Sequence, residues 1–352
     1  MFDAILRPPL ITADLPGLGG RIKTIPEDFE VEEIPAYEPT GSGDFLYLWL
    51  EKRDMGAEYF VRQIAKRLDI PPGEVGTAGL KDRHAVTRQM VSVPAAIEDR
   101  LPQLEGEGIR VLKVSKHTNK LRPGHLHGNR FRITVRNLDP AVNVAETLPK
   151  LLDRMRTLGM PNYYGPQRFG RESETLILGL AMIRGEKAKI RNGFLRKLAL
   201  SAVQSALFNA YLARRWLDGL LHKVLPGDVM AKYPFGGMFV AENLEEEQKR
   251  LEAREIVSAG PIFGRKTFPA AGAAAEREAA ALAEFELTPA SLQGFGKLLQ
   301  GTRRHNVVYL DDLTADMVQE NLQLNFSLPA GSYATVLLRE IMKSDVAGAE
   351  EI

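Results

Sequence analysis

The hydrophobic pattern of this chain changes period twice, from strand to helix and back to strand. Residues 20–50 read as strands. Phe45, Tyr47 and Trp49 alternate with Leu46, Leu48 and Leu50, so both faces of that stretch are apolar and a central strand is expected. From Ala57 to Leu68 the period becomes helical. Phe60, Val61, Ile64 and Leu68 share one stripe, and Pro71-Pro72-Gly73 stops the helix. Val86–Val93 is strand-like and ends at Pro94. Arg130, Arg132, Thr134 and Arg136 then alternate with Phe131, Ile133 and Val135, which predicts a strand with one basic face. A helix is expected over 141–158, followed by a junction from Pro161 to Gly170.

The middle of the chain is more helical. Leu176–Ile183, Leu198–Leu217, Leu244–Ile256 and Ala270–Leu282 all read as helices, the second burying Leu200, Val203, Leu207 and Tyr211. Strand period returns in Val307–Leu310 and Leu322–Leu328, and Tyr333–Met342 reads as a closing helix. This order suggests a β-containing domain interrupted by an insertion. The 352 residues suit two domains, or one with a large insertion.

Composition narrows the class. No apolar stretch reaches the ~20 residues of a membrane helix, and Met1-Phe2-Asp3 lacks the pattern of a signal peptide. The absence of cysteine excludes disulfides and thiolate metal sites. A cytoplasmic protein with no membrane partner is expected.

Net charge is only +1, but its distribution is uneven. From Leu112 to Val135 there is no Asp or Glu, while Lys113, Lys116, Lys120, Arg122, Arg130 and Arg132 fall there with His117, His125 and His127. Lys187, Lys189, Arg191, Arg196 and Lys197 form a second basic cluster. Acid gathers in Glu245-Glu246-Glu247 and in Glu350-Glu351. Charge runs are commonly solvated faces; two acid-free clusters fit a phosphate-binding face better.

Asp82 stands in the run Ala78-Gly79-Leu80-Lys81-Asp82-Arg83-His84-Ala85-Val86-Thr87-Arg88-Gln89, after a turn and before a strand. Such a carboxylate can serve as nucleophile, as general base, or as a salt-bridge partner. In an extended segment Lys81 and Arg83 would point away from it. A cation that keeps Asp82 ionised should therefore come from another segment, and Lys23 is the candidate. His84 would share the face of Asp82 and is expected to meet phosphate or solvent.

Six blocks, in order, carry a resemblance to a known family. They are Pro26-Glu27-Asp28-Phe29-Glu30-Val31 with Glu33; Gly79-Leu80-Lys81-Asp82 with Ala85, Thr87 and Gln89; Lys120-Leu121, Gly124 and Gly128-Asn129-Arg130-Phe131; Asn162-Tyr163-Tyr164-Gly165 with Gln167-Arg168-Phe169-Gly170; Ser201-Ala202, Gln204-Ser205 and Phe208-Asn209; and Leu328-Pro329-Ala330-Gly331-Ser332-Tyr333-Ala334-Thr335 with Leu338-Arg339-Glu340. Together they resemble the TruD family of tRNA pseudouridine synthases over nearly the whole chain. One departure follows Gly170: where the family often has a Gly/Asn-containing turn, this chain has Arg171-Glu172-Ser173-Glu174-Thr175, so the local loop shape is open.

The resemblance implies an α/β (α+β) fold: a catalytic core with a mixed or mostly antiparallel sheet flanked by helices, from 1–156 and 308–352, plus an inserted α/β domain at 157–307. It implies an isomerase acting on uridine 13 of tRNA, with no cofactor or metal; a monomer is expected because the inserted domain can supply the second wall of the cleft. The catalytic Asp maps onto Asp82 and the uridine-contacting positions onto Phe29, Asn129 and Tyr333. A flipped base gains ~1–3 kcal/mol from an aromatic face, and Asn129 offers both a donor and an acceptor. Tyr333 stands where the family often has Phe, so its hydroxyl is not required. Lys81, His84, Lys120, Arg122, Arg130, Arg168, Arg303 and Arg304 are candidate RNA contacts. Residue by residue, Phe29 also reads as core and Asn129 as a turn residue.

Other readings have less support. Gly260 to Thr267 resembles a phosphate loop but is one residue short between its glycines, and Pro261 removes a donor. The histidines form no metal motif. A tRNA-binding protein or RNA chaperone without catalysis would not need the set Asp82, Asn129 and Phe29. A glycoside hydrolase would need a second catalytic carboxylate.

Overall fold

The computed structural model describes residues 5–186, 190 and 192–344. The acidic pair Glu350-Glu351, the start of the chain, and Lys187, Lys189 and Arg191 of the second basic cluster lie outside the described residues. The chain divides into two compact units. One takes 15–156, 310–334 and the residues from 338 onward; the other takes the residues up to 14, 157–309 and 335–337.

In the first unit the strands β1 (Gly19–Arg21), β2 (Phe29–Pro35) and β3 (Phe45–Arg53) lead into helix α1 (Ala57–Leu68). The strands β4 (Gly76–Thr77), β5 (Val86–Pro94), β6 (Ile109–His117) and β7 (Leu126–Leu138) follow, then α2 (Val144–Leu158). In the second unit come β8 (Met160–Pro161), α3 (Glu174–Ile183), α4 (Gly193–Leu217), β9 (Val229–Lys232), β10 (Met238–Val240), α5 (Leu244–Glu252), β11 (Ile256–Ile262), α6 (Gly272–Ala283), β12 (Thr302–His305) and β13 (Val307–Val308). The chain then adds β14 (Thr314–Val318), β15 (Asn321–Pro329) and α7 (Ala334–Met342).

Among the described residues the first unit is built on a nine-stranded sheet of order β14-β15-β7-β2-β5-β3-β6, with β1 on β7 and β4 on β5. Every pairing is antiparallel except β2 with β5. The mixed, mostly antiparallel sheet expected from the resemblance is therefore present. The apolar-on-both-faces stretch at 45–50 is β3, held between β5 and β6 as expected of a central strand. Helix α1 buries Phe60, Ile64, Ala65 and Leu68 against Leu46, Leu48, Leu50, Val91 and Val93. Asp69, at φ 54°, ends the helix in a left-handed cap before the prolines.

The second unit packs α3 and α4 around Leu176, Leu180, Leu200, Val203 and Leu207. Asn192 caps α4, its side chain accepting from the Phe194 and Leu195 N–H groups, so this helix starts earlier than the apolar stripe alone indicates. The middle of the chain also holds a four-stranded sheet, β10-β9-β11-β12, in stretches to which the hydrophobic pattern assigned no element apart from Ile256. The helix expected over Leu244–Ile256 stops at Glu252, and Ile256 opens the fully buried strand β11. β11 was hidden because Gly260-Pro261 reads as a loop. Gly260 is required there: a Cβ would sit 2.6 Å from Asn306 Oδ1 and 2.7 Å from the Tyr211 ring. After Gly170 the turn forms without an extra glycine or asparagine, because Glu172 (φ 51°) and Ser173 (φ 65°) both adopt left-handed backbone. Among the described residues no helix is long and apolar enough to cross a membrane.

Candidate active site

The site is assembled from β2, β5, β7 and the turns around them. A short turn at Pro26–Asp28 precedes β2. Asp28 is buried and fixes that turn: both its oxygens accept from Arg136 Nε at 2.9 Å, and one accepts the Ile25 N–H at 3.1 Å. The anchored turn delivers Phe29 to the first position of the strand. Phe29 is 2% exposed and meets Phe131 edge-on at 6.1 Å, and Phe131 stacks on Phe326 at 5.2 Å. The core reading of Phe29 is the one its burial supports. Lys23 Nζ lies 4.4 Å from the Phe29 ring centre, a cation–π distance.

The same ammonium donates to Asp82 Oδ2 at 3.0 Å. The Lys23 side chain is mostly buried, whereas the Asp82 side chain is 52% exposed. Lys23 has φ 56°, a left-handed conformation that costs a non-glycine residue about 1 kcal/mol or more. Residues 81–85 are not strand, and β5 begins at Val86. Lys81 nevertheless turns inward: its ammonium meets Glu33 Oε2 at 2.7 Å, and both side chains are buried. Glu33 Oε1 also accepts the Met90 N–H at 3.4 Å.

Register brings Asn129 to this cluster. Glu33 of β2 stands opposite Asn129 of β7, which stands opposite Leu328 of β15. Asn129 Oδ1 is buried and has no hydrogen-bond partner among the described residues. Buried acceptors are rarely left without a donor, so this atom is available to a bound group. Tyr333 is half-buried at the start of α7, just beyond the turn whose Ala330 N–H donates to the His127 carbonyl.

The basic segments are less free than their sequence suggests. Arg130 pairs with Glu32 at 3.1 Å and Arg132 with Glu30 at 3.7 Å, across β7 and β2. Arg88 of β5 reaches Glu30 at 3.3 Å and Glu51 at 2.9 Å, and Arg110 of β6 reaches Glu51 at 3.4 Å. Five neighbouring strands therefore alternate basic and acidic side chains. Charge that is one-signed along the chain is matched across the sheet. Arg122 and Lys113 are exposed, and Lys120 donates to the Gly73 carbonyl. His84 Nδ1 is 2.9 Å from Asp54 Oδ1.

In the second unit Arg168 donates to the hydroxyls of Ser201 and Ser205. Arg304 donates to Asn162 O and Oδ1 and lies 4.2 Å over the Tyr164 ring. Arg303 is buried and pairs with Glu278 while donating to the Phe268 and Ala259 carbonyls. Lys81 and Arg303 thus have their charge engaged inside the protein, against the expectation that they reach RNA. Among the described residues no group of three or more His, Asp and Glu side chains is placed to hold a metal ion.

The arrangement offers a half-exposed carboxylate, a cation against it, an aromatic ring under the cation and an unpaired amide nearby. Comparison with known proteins gives it a context. The profile of tRNA pseudouridine synthase D (TruD) matches residues 9–193 and 189–341. The chain is 42% identical over 348 residues to the tRNA pseudouridine synthase D of Anaeromyxobacter dehalogenans, covering 97% of this chain and 99% of that one. It is 41% identical over 345 residues to the tRNA pseudouridine synthase D of Thermus thermophilus, covering 97% and 94%. Its fold matches, with a TM-score of 0.79 and 24% identity over 98% of both chains, a crystal structure from Methanosarcina mazei described as a candidate tRNA pseudouridine synthase D.

Proposed function

Because the chain belongs to the tRNA pseudouridine synthase D (TruD) family, we propose that it converts uridine 13 of tRNA to pseudouridine, with Asp82 as the catalytic carboxylate. The reaction class, pseudouridine formation in tRNA, comes with the family; the position and the role of Asp82 are our reading. The observation that carries it is the contact of Lys23 Nζ with Asp82 Oδ2 at 3.0 Å, above the Phe29 ring. The contact fixes the carboxylate beside the ring, where a flipped base and its sugar would have to lie for either available route.

In this reading the N1–C1′ bond breaks, the uracil turns in the pocket, and C5 bonds to C1′. C5 loses a proton and N1 gains one, so the product is an isomer and no redox partner is required. Asp82 either attacks C1′ as N1 leaves and is itself displaced when C5 bonds to C1′, or removes the C2′ proton to give a glycal and returns it to C2′ as C5 adds. Either step requires the base to leave its stack. Phe29, Asn129 and Tyr333 would contact the uridine, and the unpaired Asn129 Oδ1 supports that role for the amide. His84, Lys120, Arg122, Arg130, Arg168 and Arg304 would meet the tRNA backbone, which positions the substrate without reading sequence. We assign the catalytic domain to 1–156 and 308–352 and the inserted domain to 157–307. The division into two compact units supports this assignment, although residues up to 14, 308–309 and 335–337 group with the inserted part. The reading also takes the enzyme to be a cytoplasmic monomer, with chemistry that asks for no metal or cofactor.

The test is direct. Purified protein is incubated with unmodified tRNA transcript, and pseudouridine is mapped by carbodiimide-based primer extension. The expected result is product at uridine 13 with wild type and none with Asp82→Asn. Equal product from the two proteins would overturn the role of Asp82, and product at another position would overturn the site.

A further inference from the structure

Lys52 breaks the pattern of its strand. In β3, Leu46, Leu48 and Leu50 share the buried face, and the next residue on that face is Lys52, 1% exposed. Register places Lys52 beside Thr87 of β5, which lies beside Val31 of β2. A methionine or leucine would satisfy such a position without the desolvation that a buried ammonium suffers. Among the described residues no carboxylate lies within ion-pair distance of it. Its partners are main-chain oxygens. Lys52 Nζ donates to the carbonyls of Asp82 at 3.1 Å and Lys81 at 3.3 Å, and to that of Met55. It also lies 5.7 Å from the centre of the Phe60 ring of α1.

Two of those three carbonyls belong to the segment that carries the carboxylate. That segment has no strand pairing of its own before Val86. The Lys52 ammonium supplies the donor that a sheet neighbour would otherwise give. Asp82 is therefore held at both ends, its side chain by Lys23 and its main-chain oxygen by Lys52.

We propose that Lys52 is a positioning residue for the isomerisation, fixing the main chain at Lys81 and Asp82 so that the carboxylate keeps its aim. The proposal rests on the reading of Asp82 as the catalytic group. Lys52 touches main chain and not substrate, so its removal should act on the chemical step and spare tRNA binding. A displacement of about 1 Å at a reacting group can cost ~100-fold in rate.

The experiment uses the full chain and tRNA transcript. Wild type, Asp82→Asn and Lys52→Met are compared for kcat, KM, tRNA Kd and thermal melting. The expected result is a cooperative melt for Lys52→Met, KM and Kd within about twofold of wild type, and kcat lower by ~100-fold. If Lys52→Met does not fold, Lys52→Arg, which keeps a cation but moves its donors, is judged by the same split between kcat and KM. A kcat within threefold of wild type in the folded variant overturns the proposal, and so does a loss of kcat that tracks a rise in Kd. Wild-type activity in Asp82→Asn would instead overturn the functional reading, and the positioning role with it.

Discussion

Lys23 and Asp82 stand 59 residues apart in sequence, and their side chains meet at 3.0 Å. The lysine reaches the carboxylate from a left-handed main-chain conformation, φ 56°. A strained residue at a functional position suggests that contact and stability are opposed there. Lys23→Gly relieves the strain and removes the ammonium; Lys23→Ala removes the ammonium alone. Both variants should lose activity to a similar extent, about tenfold or more. In urea denaturation the glycine variant should be the more stable by about 1 kcal/mol. An alanine variant as stable as the glycine variant would show that the main chain relaxes and carries no strain.

Asn129 offers a second separation of stability from activity. Its Oδ1 is buried and unpaired, so Asn129→Ala leaves no partner behind. The variant should unfold within about 1 kcal/mol of wild type. Its kcat/KM should fall about tenfold, the loss of one hydrogen bond made only to bound substrate. A variant that loses stability while keeping kcat/KM would assign Asn129 to the fold.

The pairing of Lys23 with Asp82 was legible in sequence because Lys23 sits just before the turn that delivers Phe29; the premise that the Asp82 segment is extended did not hold, since 81–85 form no strand, and it is the buried pair with Glu33 that turns Lys81 away. The mostly antiparallel sheet and helix α1 were legible because their periods are long and clean. Strands β9 and β10 were not, being four and three residues long. Lys52 was not legible either. It follows three leucines on one face, and the main-chain oxygens that surround it come from Met55 and from Lys81 and Asp82, segments that only the fold brings to it. Cross-strand neutralisation of Arg130 and Arg132 escaped for a related reason: Glu30 and Glu32 lie about a hundred residues earlier in the chain and become neighbours only through the β2–β7 register.

The buried Lys81–Glu33 pair should behave as a unit. Lys81→Met strands an ionised Glu33 in the interior and is expected to cost about 3–5 kcal/mol. Adding Glu33→Leu removes the stranded charge and should restore most of that loss. A double-mutant cycle by urea denaturation checks this, and additive effects would mean that the two side chains do not depend on each other.

Matched and unmatched arginines should differ in how they hold tRNA. Arg122 is exposed, whereas Arg132 pairs with Glu30. If Arg122 contacts phosphate, Arg122→Ala reduces the slope of log Kd against log salt by about 1. Arg132→Ala should change it less, since that guanidinium must first leave its partner. Salt titrations of tRNA binding decide between them. Equal slopes for wild type and Arg122→Ala would remove Arg122 from the RNA face.

The last prediction concerns Lys52 and pH. Burial pushes its ammonium down from the ordinary 10.5 to about 8; the Asp82 carboxylate pulls the value back up and the Lys81 ammonium pushes it further down. Between these two values the unfolded chain binds the proton that the folded chain has released. Stability therefore rises with pH from about 8 toward 10.5, and below 8 the full desolvation cost is present. At 1.36 kcal/mol per unit the rise is on the order of 3 kcal/mol if nothing else titrates. Tyr47 sets the upper limit of the window. Burial and the Tyr37 hydrogen bond hold its phenol above the ordinary 10.0, so above that pH the folded state keeps a proton that the unfolded chain loses, and stability falls. Urea midpoints at about pH 7.5, 8.5 and 9.5 should increase for wild type and stay level for Lys52→Met. A rise of equal size in both proteins would place its origin elsewhere. A flat wild-type profile would mean that the carbonyls of Met55, Lys81 and Asp82 offset the desolvation of the ammonium, leaving Lys52 charged in both states across the window.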